Sequence, residues 1–407
     1  MANDKLSKAK KAKNDEFYTQ FADISREIEA YLEYNPDTFR DKVVLLPCDD
    51  PEWSNFTLYF AQNFVRLGLR KLISTSYAYE SKRLQFPYQP TLFESESLQF
   101  DIEKSATKGK IFTLSHDISG DGKIDHKDLQ WRYLEGDGDF RSEEVTRLRD
   151  EADIIVTNPP FSLFREFLSW VVSANKLFVV IGNTNAITYK EVFPLIASNK
   201  MWLGNGFHKG NAYFETPFAD RYKDSVLNEE TGLVKFRNCC WFTNIDHGRR
   251  HQPLQLMTMS DNLKYSKHKE IRENGYPKYD NYDAIEVAYT DAIPSDYEGV
   301  MGVPISFLEK YCPEQFEIVA FRKGNDGKDL IYSTLNGGGG AAILPNTHTT
   351  NYGTQQPMEI GPMLMGKENM RESLLATAIP GLMNNPKDTK VNGKSKYARI
   401  TIRKIKN

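Results

Sequence analysis

Residues 153–175 read DIIVTNPPFSLFREFLSWVVSAN: an apolar run, a proline-containing turn and a segment with apolar residues at helical spacing. A continuous apolar run of this length is typical of a strand buried in a parallel sheet. The segment 162–175 predicts a helix that follows this strand. Ligands of open α/β sheets bind at the carboxyl ends of the strands. The turn Asn158-Pro159-Pro160-Phe161 therefore lies where an active site is expected.

The same alternation of strand and helix extends to both sides of this stretch. Helices are predicted at 21–34 and 56–67, the second ended by Gly68 as its C-cap. Strands are predicted at three further places: a buried one at 42–47 (KVVLLP), and others at 71–77 (KLISTSY) and 176–183 (KLFVVIGN). The alternation predicts an α/β fold with a doubly wound sheet.

The character of the chain changes near residue 256. The segment 276–299 is rich in Tyr, Asp and Pro without a helical period, and four consecutive glycines follow at 337–340. We interpret residues 1–255 as one α/β domain and residues 256–407 as an irregular α+β region.

Composition excludes several classes of protein. The chain has 407 residues, a net charge of −3 and a hydrophobic fraction of 40%, values that fit a globular protein and do not indicate a general polyanion binder. No apolar run is long enough to span a bilayer, and the charged N-terminus lacks the apolar centre of a signal peptide, so a cytoplasmic location is expected. The four cysteines form no C-x-x-C pair, which argues against a cysteine zinc site and a disulfide framework.

The turn Asn158-Pro159-Pro160-Phe161 suits the orientation of an exocyclic amine on a nucleobase. Such an amine is a poor nucleophile because its lone pair is delocalised into the ring. Two acceptors on its two N–H bonds, the Asn158 side-chain oxygen and the Pro159 carbonyl, can pull the nitrogen toward tetrahedral geometry. The prolines fix the backbone, and Phe161 offers a face on which an extruded base can stack. The alternative is a plain turn that ends a strand, with Ser162 capping the next helix.

Together with this motif, four stretches resemble the EcoRI-type family of adenine-specific DNA methyltransferases. They are 11–20 (KAKNDEFYTQ), 43–56 (VVLLPCDDPEWSNF), 136–144 (GDGDFRSEE) and 152–164 (ADIIVTNPPFSLF). The resemblance implies a Rossmann-like methyltransferase fold, S-adenosylmethionine as cofactor, double-stranded DNA as substrate and the N6 amine of adenine as target. It also allows a cognate restriction endonuclease as a partner in the same system.

The resemblance assigns roles to individual residues. Phe17-Tyr18-Thr19 resembles the segment near the methionine end of the cofactor, and Cys48-Asp49-Asp50 occupies the place of the cofactor-binding loop. Asp139-Phe140 resembles the pair that holds the cofactor's adenine, with the carboxylate on the amine and the ring beside the base. The catalytic motif comprises Asn158, Pro159, Pro160 and Phe161, and Asn158 is expected to contact the cofactor as well.

Two features depart from the family pattern. The Gly-x-Gly expected after the first strand is replaced by CDDPEWSNF (48–56), and the second strand ends in Ser76-Tyr77 where an acid is expected. Asp49 or Asp50 is a candidate substitute for the missing acid. For Asp49 the alternative is a turn aspartate that caps the helix starting at residue 54.

Two further segments carry metal-like spacing. In the loop 117–128, residues match positions 1, 3, 5, 6, 9 and 12 of a calcium loop, where position 6 is the turn glycine and the others supply ligands: Asp117, Ser119, Asp121, Gly122, Asp125 and Asp128. Its flanks, KIFTL and LQWRYL, predict strands and not the paired helices of an EF-hand, so a polar hairpin loop is favoured. For His247-Gly-Arg-Arg-His251 a surface loop is favoured over phosphate contact, and phosphate contact over a metal. No metal site is assigned.

The C-terminal segment 391–405 begins with the hairpin dipeptide Asn392-Gly393 and continues as an alternating strand. Arg399 and Arg403 share one face of this strand, which predicts contact with the DNA backbone. The alternative is a solvated edge strand protected by charge.

The sequence therefore predicts a site-specific DNA adenine N6-methyltransferase, with target recognition in residues 256–407. One alternative is methylation of another amide-like nitrogen, in RNA or in a protein glutamine, because both chemistries can use the same motif. Another is a catalytically dead DNA-binding protein on the same scaffold, which the missing Gly-x-Gly leaves open. Calorimetry of cofactor binding distinguishes an active enzyme from the dead scaffold.

Overall fold

The computed structural model describes most of the chain in two compact units. The first unit comprises Met1–Ala186 and Met201–Arg249, and the second comprises Ile187–Lys200 and Arg250–Asn407. We predicted a domain boundary after residue 255, and the structure divides the two units between residues 249 and 250. The described residues are 17–49, 54–78, 97, 99–216, 226–228, 230–280, 283–322, 330–333, 342–344, 390–392, 394–395 and 398–405.

An eight-stranded sheet forms the centre of the first unit. Its strand order is β5-β4-β3-β2-β6-β7-β11-β8; β3, β2, β6 and β7 run parallel, and the other pairings are antiparallel. The strands are β2 (Val43–Leu46), β3 (Lys71–Ser76), β4 (Lys110–Leu114), β5 (Gln130–Tyr133), β6 (Ile154–Thr157), β7 (Leu177–Asn183), β8 (Trp202–Leu203) and β11 (Cys239–Thr243). All residues of β2 and β6 are buried, as their continuous apolar sequence predicts. The α/β class and the four predicted strands are confirmed, as is the burial of β2 and β6.

β2 lies between two parallel neighbours in the sheet. The next strand, β3, pairs on one side of β2, and β6 pairs on the other. At such a reversal the connections diverge from the carboxyl ends of the neighbouring strands and leave a crevice between them. The segments that follow β2 and β6 therefore meet at one edge of the sheet.

The helices of the first unit bury one apolar face each. In α1, Ile24, Ile28 and Tyr31 are buried at helical spacing. The helix predicted at 56–67 is interrupted at Asn63, and Gly68 ends its second part with a positive φ of 64°, as predicted. The helices are α1 (Phe21–Tyr34), α2 (Asn55–Gln62), α3 (Phe64–Leu67), α4 (Ile102–Thr107), α5 (Glu143–Glu151) and α6 (Phe164–Ser173).

A small antiparallel sheet stands beside the large one. It consists of β1 (Tyr18–Thr19), β9 (Ala212–Glu215) and β10 (Val234–Phe236), in the order β1-β9-β10. Phe214 of β9 is buried, and Phe17 and Phe236 pack against the same hydrophobic core. This sheet brings the N-terminal segment close to the end of β6.

The loop between β4 and β5 is held by its own carboxylates. Asp117 accepts the N–H groups of Gly120 and Gly122 at 2.7 and 2.8 Å. Asp128 accepts those of Ile118, Ser119 and Asp125 at 2.8–3.0 Å, and these hydrogen bonds lower its pKa to about 2. Its flanks are antiparallel strands, as predicted. In the part of the chain that the structure describes, no group of three or more His, Cys, Asp or Glu residues is placed to hold a metal ion.

The second unit contains a six-stranded sheet of order β12-β13-β19-β14-β15-β16. β19 lies inside this sheet and pairs antiparallel with both β13 and β14, so the edge-strand alternative for the C-terminal strand is wrong. The physical reason is its apolar face: Ala398, Ile400 and Ile402 are buried. The strands are β12 (Ile285–Glu286), β13 (Met301–Pro304), β14 (Phe316–Arg322), β15 (Leu330–Ser333), β16 (Ala342–Leu344) and β19 (Arg399–Lys404).

Short elements complete the second unit. β17 (Lys390–Val391) and β18 (Lys394–Ser395) form the predicted hairpin, and Asn392 has the positive φ of 50° that its tight turn requires. The helices are α7 (Phe193–Ala197), α8 (Met259–Tyr265) and α9 (Lys269–Asn274). Among the described residues of both units, no helix is long and apolar enough to cross a membrane.

Candidate active site

Asn158 follows β6 directly, and its side-chain amide is held by the N-terminal segment. Nδ2 donates to the Phe17 carbonyl at 2.8 Å and approaches Thr19 Oγ1 at 3.4 Å. Oδ1 is buried and accepts no hydrogen bond from the described residues. A buried acceptor without a donor is costly, because folding removes its bonds to water. The Asn158 side chain therefore has a buried oxygen that can accept a hydrogen bond.

The two prolines separate Asn158 from the next helix. The Pro160 carbonyl accepts the Leu163 N–H at 2.9 Å and begins a single 3₁₀ turn, Phe161–Leu163, before α6. The N-cap position of α6 is Leu163, and no side chain caps this helix. The alternative in which Ser162 caps the helix is therefore wrong, because the 3₁₀ turn moves the N-cap of α6 from Ser162 to Leu163.

Phe161 belongs to a cluster of aromatic rings. Its ring is stacked on Phe17, with centroids 5.7 Å apart and an interplanar angle of 26°. The rings of Phe214 and Phe236 meet it edge to face, each at 6.4 Å. One face of Phe161 is covered by Phe17, so a stacked base would have to use the other face.

A buried polar network underlies the end of β2. Asp49 accepts hydrogen bonds from Ser54 Oγ at 2.8 Å and from Thr157 Oγ1 at 2.6 Å. Ser74 Oγ of β3 donates to the Asp49 carbonyl. The cap of α2 is Ser54, whose oxygen accepts the Phe56 N–H at 3.1 Å, so the capping alternative for Asp49 is wrong. Asp49 instead joins the end of β2 to β6 through Thr157, the residue directly before Asn158.

Cys48 lies directly before Asp49, after the end of β2. Burial raises the pKa of the Cys48 thiol well above its usual range, and the negative charges of Asp49 and Asp139 add to the effect. Two predicted cofactor segments, the turn after β2 and the 136–140 loop, both contact the end of β3: the Asp49 N–H donates to the Thr75 carbonyl at 3.1 Å, and the Asp137 carbonyl accepts the Ala78 N–H.

The 136–140 loop packs tightly on the end of β3. Gly138 has φ 86°, and a Cβ there would lie 2.2 Å from the Ser76 carbonyl oxygen. The Ala78 N–H donates to the Asp137 carbonyl at 2.7 Å. Only glycine fits this close approach of two backbones, and it brings Asp139 beside Tyr77.

The Asp139 carboxylate is fixed by several donors. Arg141 donates from Nε to Oδ1 at 2.9 Å and from Nη2 to Oδ2 at 2.6 Å, and Tyr77 donates to Oδ2 at 3.3 Å. Burial raises the pKa of Asp139, but the hydrogen bonds and charge of Arg141 outweigh burial, and the pKa lies below its usual value. The group is ionised at neutral pH.

Phe140 points into the core. It is buried, and its ring packs on Phe167 and Trp170 of α6 at centroid distances of 5.2 and 5.6 Å. Phe140 thereby anchors the 136–140 loop on the helix that follows the catalytic motif. A position of this ring beside an adenine stays a prediction.

The structure thus gathers the predicted residues of the first unit at one sheet edge. Phe17, Thr19, Asn158 and Phe161 are in direct contact, and Asp49 reaches them through Thr157. We missed the hydroxyl partners Ser54, Ser74 and Thr157, as well as Arg141. A signal existed for one of them, because Thr157 is the hydroxyl residue of an otherwise apolar strand.

The two C-terminal arginines lie in the second unit and have carboxylate partners. Arg399 donates to both carboxylate oxygens of Glu286, from Nη2 at 2.7 Å and from Nε at 2.9 and 3.1 Å; the two side chains are only 15% and 2% exposed. Arg403 pairs with Glu317, and these side chains are 41% and 31% exposed. Of the two guanidinium groups, that of Arg403 is the more accessible.

The surface-loop interpretation of 247–251 is wrong for two of its members. His247 and Arg250 are buried. The His247 Nε2 lies 3.0 Å from the Leu203 carbonyl oxygen, and its ring meets Tyr31 edge to face. Arg250 donates to the side chain of Asn199. These residues serve packing within their respective units.

Comparison with known proteins places the chain in a family. The family model described as adenine-specific methyltransferase EcoRI matches residues 5–405. The type II methyltransferase M.EcoRI of Escherichia coli is 44% identical over 338 residues, which cover 82% of this chain and 93% of that protein. The type II methyltransferases M.MpnI of Mycoplasma pneumoniae and M.MgeORF184P of Mycoplasma genitalium are each 34% identical over 318 residues. Both alignments cover 77% of this chain, with 84% and 85% of the relatives.

No solved structure matches this chain. The family match spans nearly the whole sequence, and it includes the Asn158 motif whose geometry is described above. The chain therefore belongs to the EcoRI family of adenine-specific methyltransferases.

Proposed function

We propose that this enzyme transfers a methyl group from S-adenosylmethionine to the N6 amine of an adenine extruded from a DNA duplex, within a specific sequence. The observation that carries the proposal is the Asn158 amide oxygen, buried and without a donor among the described residues, at the carboxyl end of a central parallel strand. An amine N–H is the donor that this oxygen lacks.

The Asn158 amide is oriented before the substrate arrives. Because Nδ2 donates to the Phe17 carbonyl, the amide cannot turn over without losing that bond and facing two acceptors toward each other. Oδ1 accepts one N–H of the target amine, and the Pro159 carbonyl accepts the other. Both bonds strengthen as the nitrogen becomes tetrahedral and its lone pair leaves the ring plane. Such preorganised acceptors stabilise the transition state more than the ground state.

The residues around Asn158 fit the expected cofactor. S-adenosylmethionine, when bound, supplies an electrophilic methyl group on a positively charged sulfur. Asp139, which is ionised, would accept the cofactor's adenine amine, and Cys48 with Asp49 would form the turn beneath it. Phe17, Tyr18 and Thr19 would line the methionine end.

The missing Gly-x-Gly has a structural substitute in this proposal. Where the family uses glycines to shape the turn after the first strand, this chain fixes Asp49 through the hydroxyls of Ser54 and Thr157. A side-chain network can hold a turn as firmly as a backbone conformation that only glycine adopts. Asp49 is thus our candidate for the acid absent from the end of β3.

The strand order supports a Rossmann-like methyltransferase fold. Among the parallel strands, β3 is added on one side of β2, and β6 and β7 are added on the other. The strand order therefore reverses at β2, and the candidate site lies at the carboxyl end of this strand. The antiparallel strands β4, β5, β11 and β8 extend the sheet at both edges.

We assign DNA target recognition to the second unit, which holds none of the proposed catalytic residues. Arg403 is our candidate for a phosphate contact because its side chain is accessible. Contact by Arg399 remains a prediction that requires its guanidinium to leave Glu286. Phosphate contacts would set the position of the duplex, and other side chains would read the bases.

The test is a methylation assay with defined products. The purified chain is incubated with duplex DNA, RNA or a glutamine-containing protein and methyl-labelled S-adenosylmethionine, and the products are digested and identified by mass spectrometry. We expect N6-methyladenine in DNA alone. Label in RNA or protein would contradict the proposal. No transfer to any substrate, together with no cofactor binding by calorimetry, would identify a dead scaffold.

Sequencing of adenine methylation in DNA from cells that express the chain then identifies the target. We expect modification of adenine within one short sequence. Methylation spread over unrelated sequences would contradict site specificity.

A further inference from the structure

Arg141 links the loop that carries Asp139 to the helix behind the catalytic motif. Its guanidinium donates to both carboxylate oxygens of Asp139, and Nη1 donates to Glu166 of α6 at 2.9 Å. Its backbone N–H also donates to Asp139 Oδ1 at 2.9 Å. Arg141 therefore holds Asp139 from both its main chain and its side chain.

This arrangement differs from an ordinary surface ion pair. The Arg141 side chain is 51% exposed, and isolated pairs at such exposure contribute little to stability. Here the contact is bidentate, part of a four-residue network with Tyr77 and Glu166, and directed at a half-buried carboxylate. The planar fork of a guanidinium fixes the plane of the carboxylate that it binds, which a lysine ammonium cannot do.

We propose that Arg141 is a positioning residue that orients the Asp139 carboxylate and thereby makes the cofactor site selective for a 6-aminopurine. This proposal rests on the function proposed above. The bonds from Arg141 fix the plane of the carboxylate, and the contact from Tyr77 to Oδ2, at 3.3 Å, is the longest of its hydrogen bonds. A 6-amino group can take over this position on Oδ2 and donate to it in a direction that the Arg141 fork determines. A 6-oxo group presents an acceptor to the same carboxylate and is repelled.

The selectivity can be measured without catalysis. Calorimetry on the full chain gives the dissociation constants of S-adenosylhomocysteine and S-inosylhomocysteine, which differ at position 6 of the purine. We expect wild type to prefer the adenosyl compound roughly tenfold to a hundredfold, the range of one charge-assisted hydrogen bond. Arg141→Met and Arg141→Lys should reduce this ratio about tenfold or more. The lysine variant keeps the charge and loses the fork.

Arg147→Met provides the matched control. Arg147 lies on α5, pairs with Glu143 at 3.3 Å, and both side chains are exposed. We expect its selectivity to equal that of wild type. Thermal unfolding of each variant verifies that it is folded before its binding is compared.

The outcomes separate this inference from the proposed function. A wild-type ratio in both Arg141 variants, with or without weaker binding of both compounds, would overturn the positioning role. A wild type that binds the adenosyl compound but does not discriminate would also overturn it. A wild type that binds neither compound would instead contradict the proposed cofactor.

Discussion

At the residue scale, the side-chain amide of Asn158 is the part of the site with the most defined chemistry. Its nitrogen is engaged by Phe17 and Thr19 in the same chain, and its oxygen is left for a donor. The chemistry of a strand-terminal Asn-Pro-Pro-Phe predicts this oxygen as an acceptor. The Phe17 partner could not be predicted from the motif, since 141 residues separate the two bonded groups.

Replacing Asn158 by alanine should abolish methyl transfer. The variant loses one of the two acceptors that act on the target amine, and the loss of one preorganised hydrogen bond at a reacting group typically reduces turnover at least ~100-fold. The measurement is single-turnover transfer to duplex DNA, with S-adenosylhomocysteine affinity measured alongside and expected to stay close to wild type. Asn274→Ala, at the exposed end of α9, serves as control. Turnover near wild type in Asn158→Ala would remove the motif from the mechanism.

Replacing Asp139 by alanine should weaken cofactor binding and leave the fold intact. The adenine amine of the cofactor loses a charged acceptor, which typically costs on the order of 1.5–3 kcal/mol. Calorimetry of S-adenosylhomocysteine binding measures the effect. Asp37→Ala is the control, since Asp37 pairs with Arg40 on the surface. An unchanged dissociation constant in Asp139→Ala would place the adenine site elsewhere.

At the element scale, α1 is joined to the turn after β8 by a buried carboxylate. Glu27 accepts hydrogen bonds from Tyr31 Oη at 2.5 Å and from the N–H groups of Asn205 and Gly206 at 2.9 Å. A Cβ at Gly204 would lie 2.0 Å from Glu27 Oε1, so the turn approaches the carboxylate as closely as a backbone can. The helical period of residues 21–34 predicts α1 but not this contact, because an acid on an amphipathic helix is normally solvated.

The fold should lose stability as pH rises from about 4.5 to about 7. Burial raises the pKa of Glu27 to about 7, and its hydrogen bonds offset this only in part. The native state therefore binds the proton more tightly than the unfolded chain, and this stabilisation is complete below the unfolded pKa and lost above the folded one. A Glu27 pKa of about 7 in the folded chain and 4.5 in the unfolded chain corresponds to about 3 kcal/mol in the free energy of unfolding.

Urea unfolding at pH 5 and pH 8 measures this dependence. In Glu27→Gln the contribution of this group to the pH dependence should vanish, whatever the absolute stability of the variant. Glu33→Gln, near the exposed end of α1, should keep the wild-type dependence. Equal pH dependence in wild type and Glu27→Gln would show that Glu27 titrates alike in the folded and unfolded chain.

At the scale of the whole molecule, local pattern predicts the first unit better than the second. The apolar runs of β2, β6 and β7 are continuous because both faces of a central parallel sheet are buried. In the second unit, β19 pairs with β14 and β13, which lie about 80 and 100 residues earlier in the chain. An alternating strand predicts one buried face, but it does not distinguish a central position from an edge.

The segment Ile187–Lys200 illustrates the same limit. It lies between two strands of the large sheet in sequence, yet it belongs to the second unit. Within that unit Phe193 of α7 packs on Phe321 of β14, with ring centroids 4.8 Å apart. This contact joins residues far apart in the chain, and no change of composition marks it.

Replacing Arg399 by alanine should destabilise the second unit. Glu286 is 2% exposed and would lose its bidentate partner, and an uncompensated buried charge typically costs on the order of 3–5 kcal/mol. Arg403→Ala is the matched comparison on the same strand, where the exposed pair with Glu317 predicts a loss of about 1 kcal/mol or less. Urea unfolding compares the two. Equal stabilities would mean that burial does not distinguish the two ion pairs.

The same pair of arginines also determines how DNA contact can be tested. A variant that lacks both charges would confuse lost phosphate contact with lost stability, so Arg403 must be changed alone.

If Arg403 binds a phosphate, Arg403→Ala should weaken DNA binding and lower the slope of log affinity against log salt by about one, since each phosphate neutralised releases close to one counterion. Lys310→Ala removes an exposed charge elsewhere in the second unit and should leave that slope unchanged. S-adenosylhomocysteine affinity should be unaffected in both variants. Should Arg403→Ala bind DNA with the affinity and slope of wild type, the basic face of β19 serves its own sheet through Glu317 and Glu286, and target recognition lies on another surface of this unit.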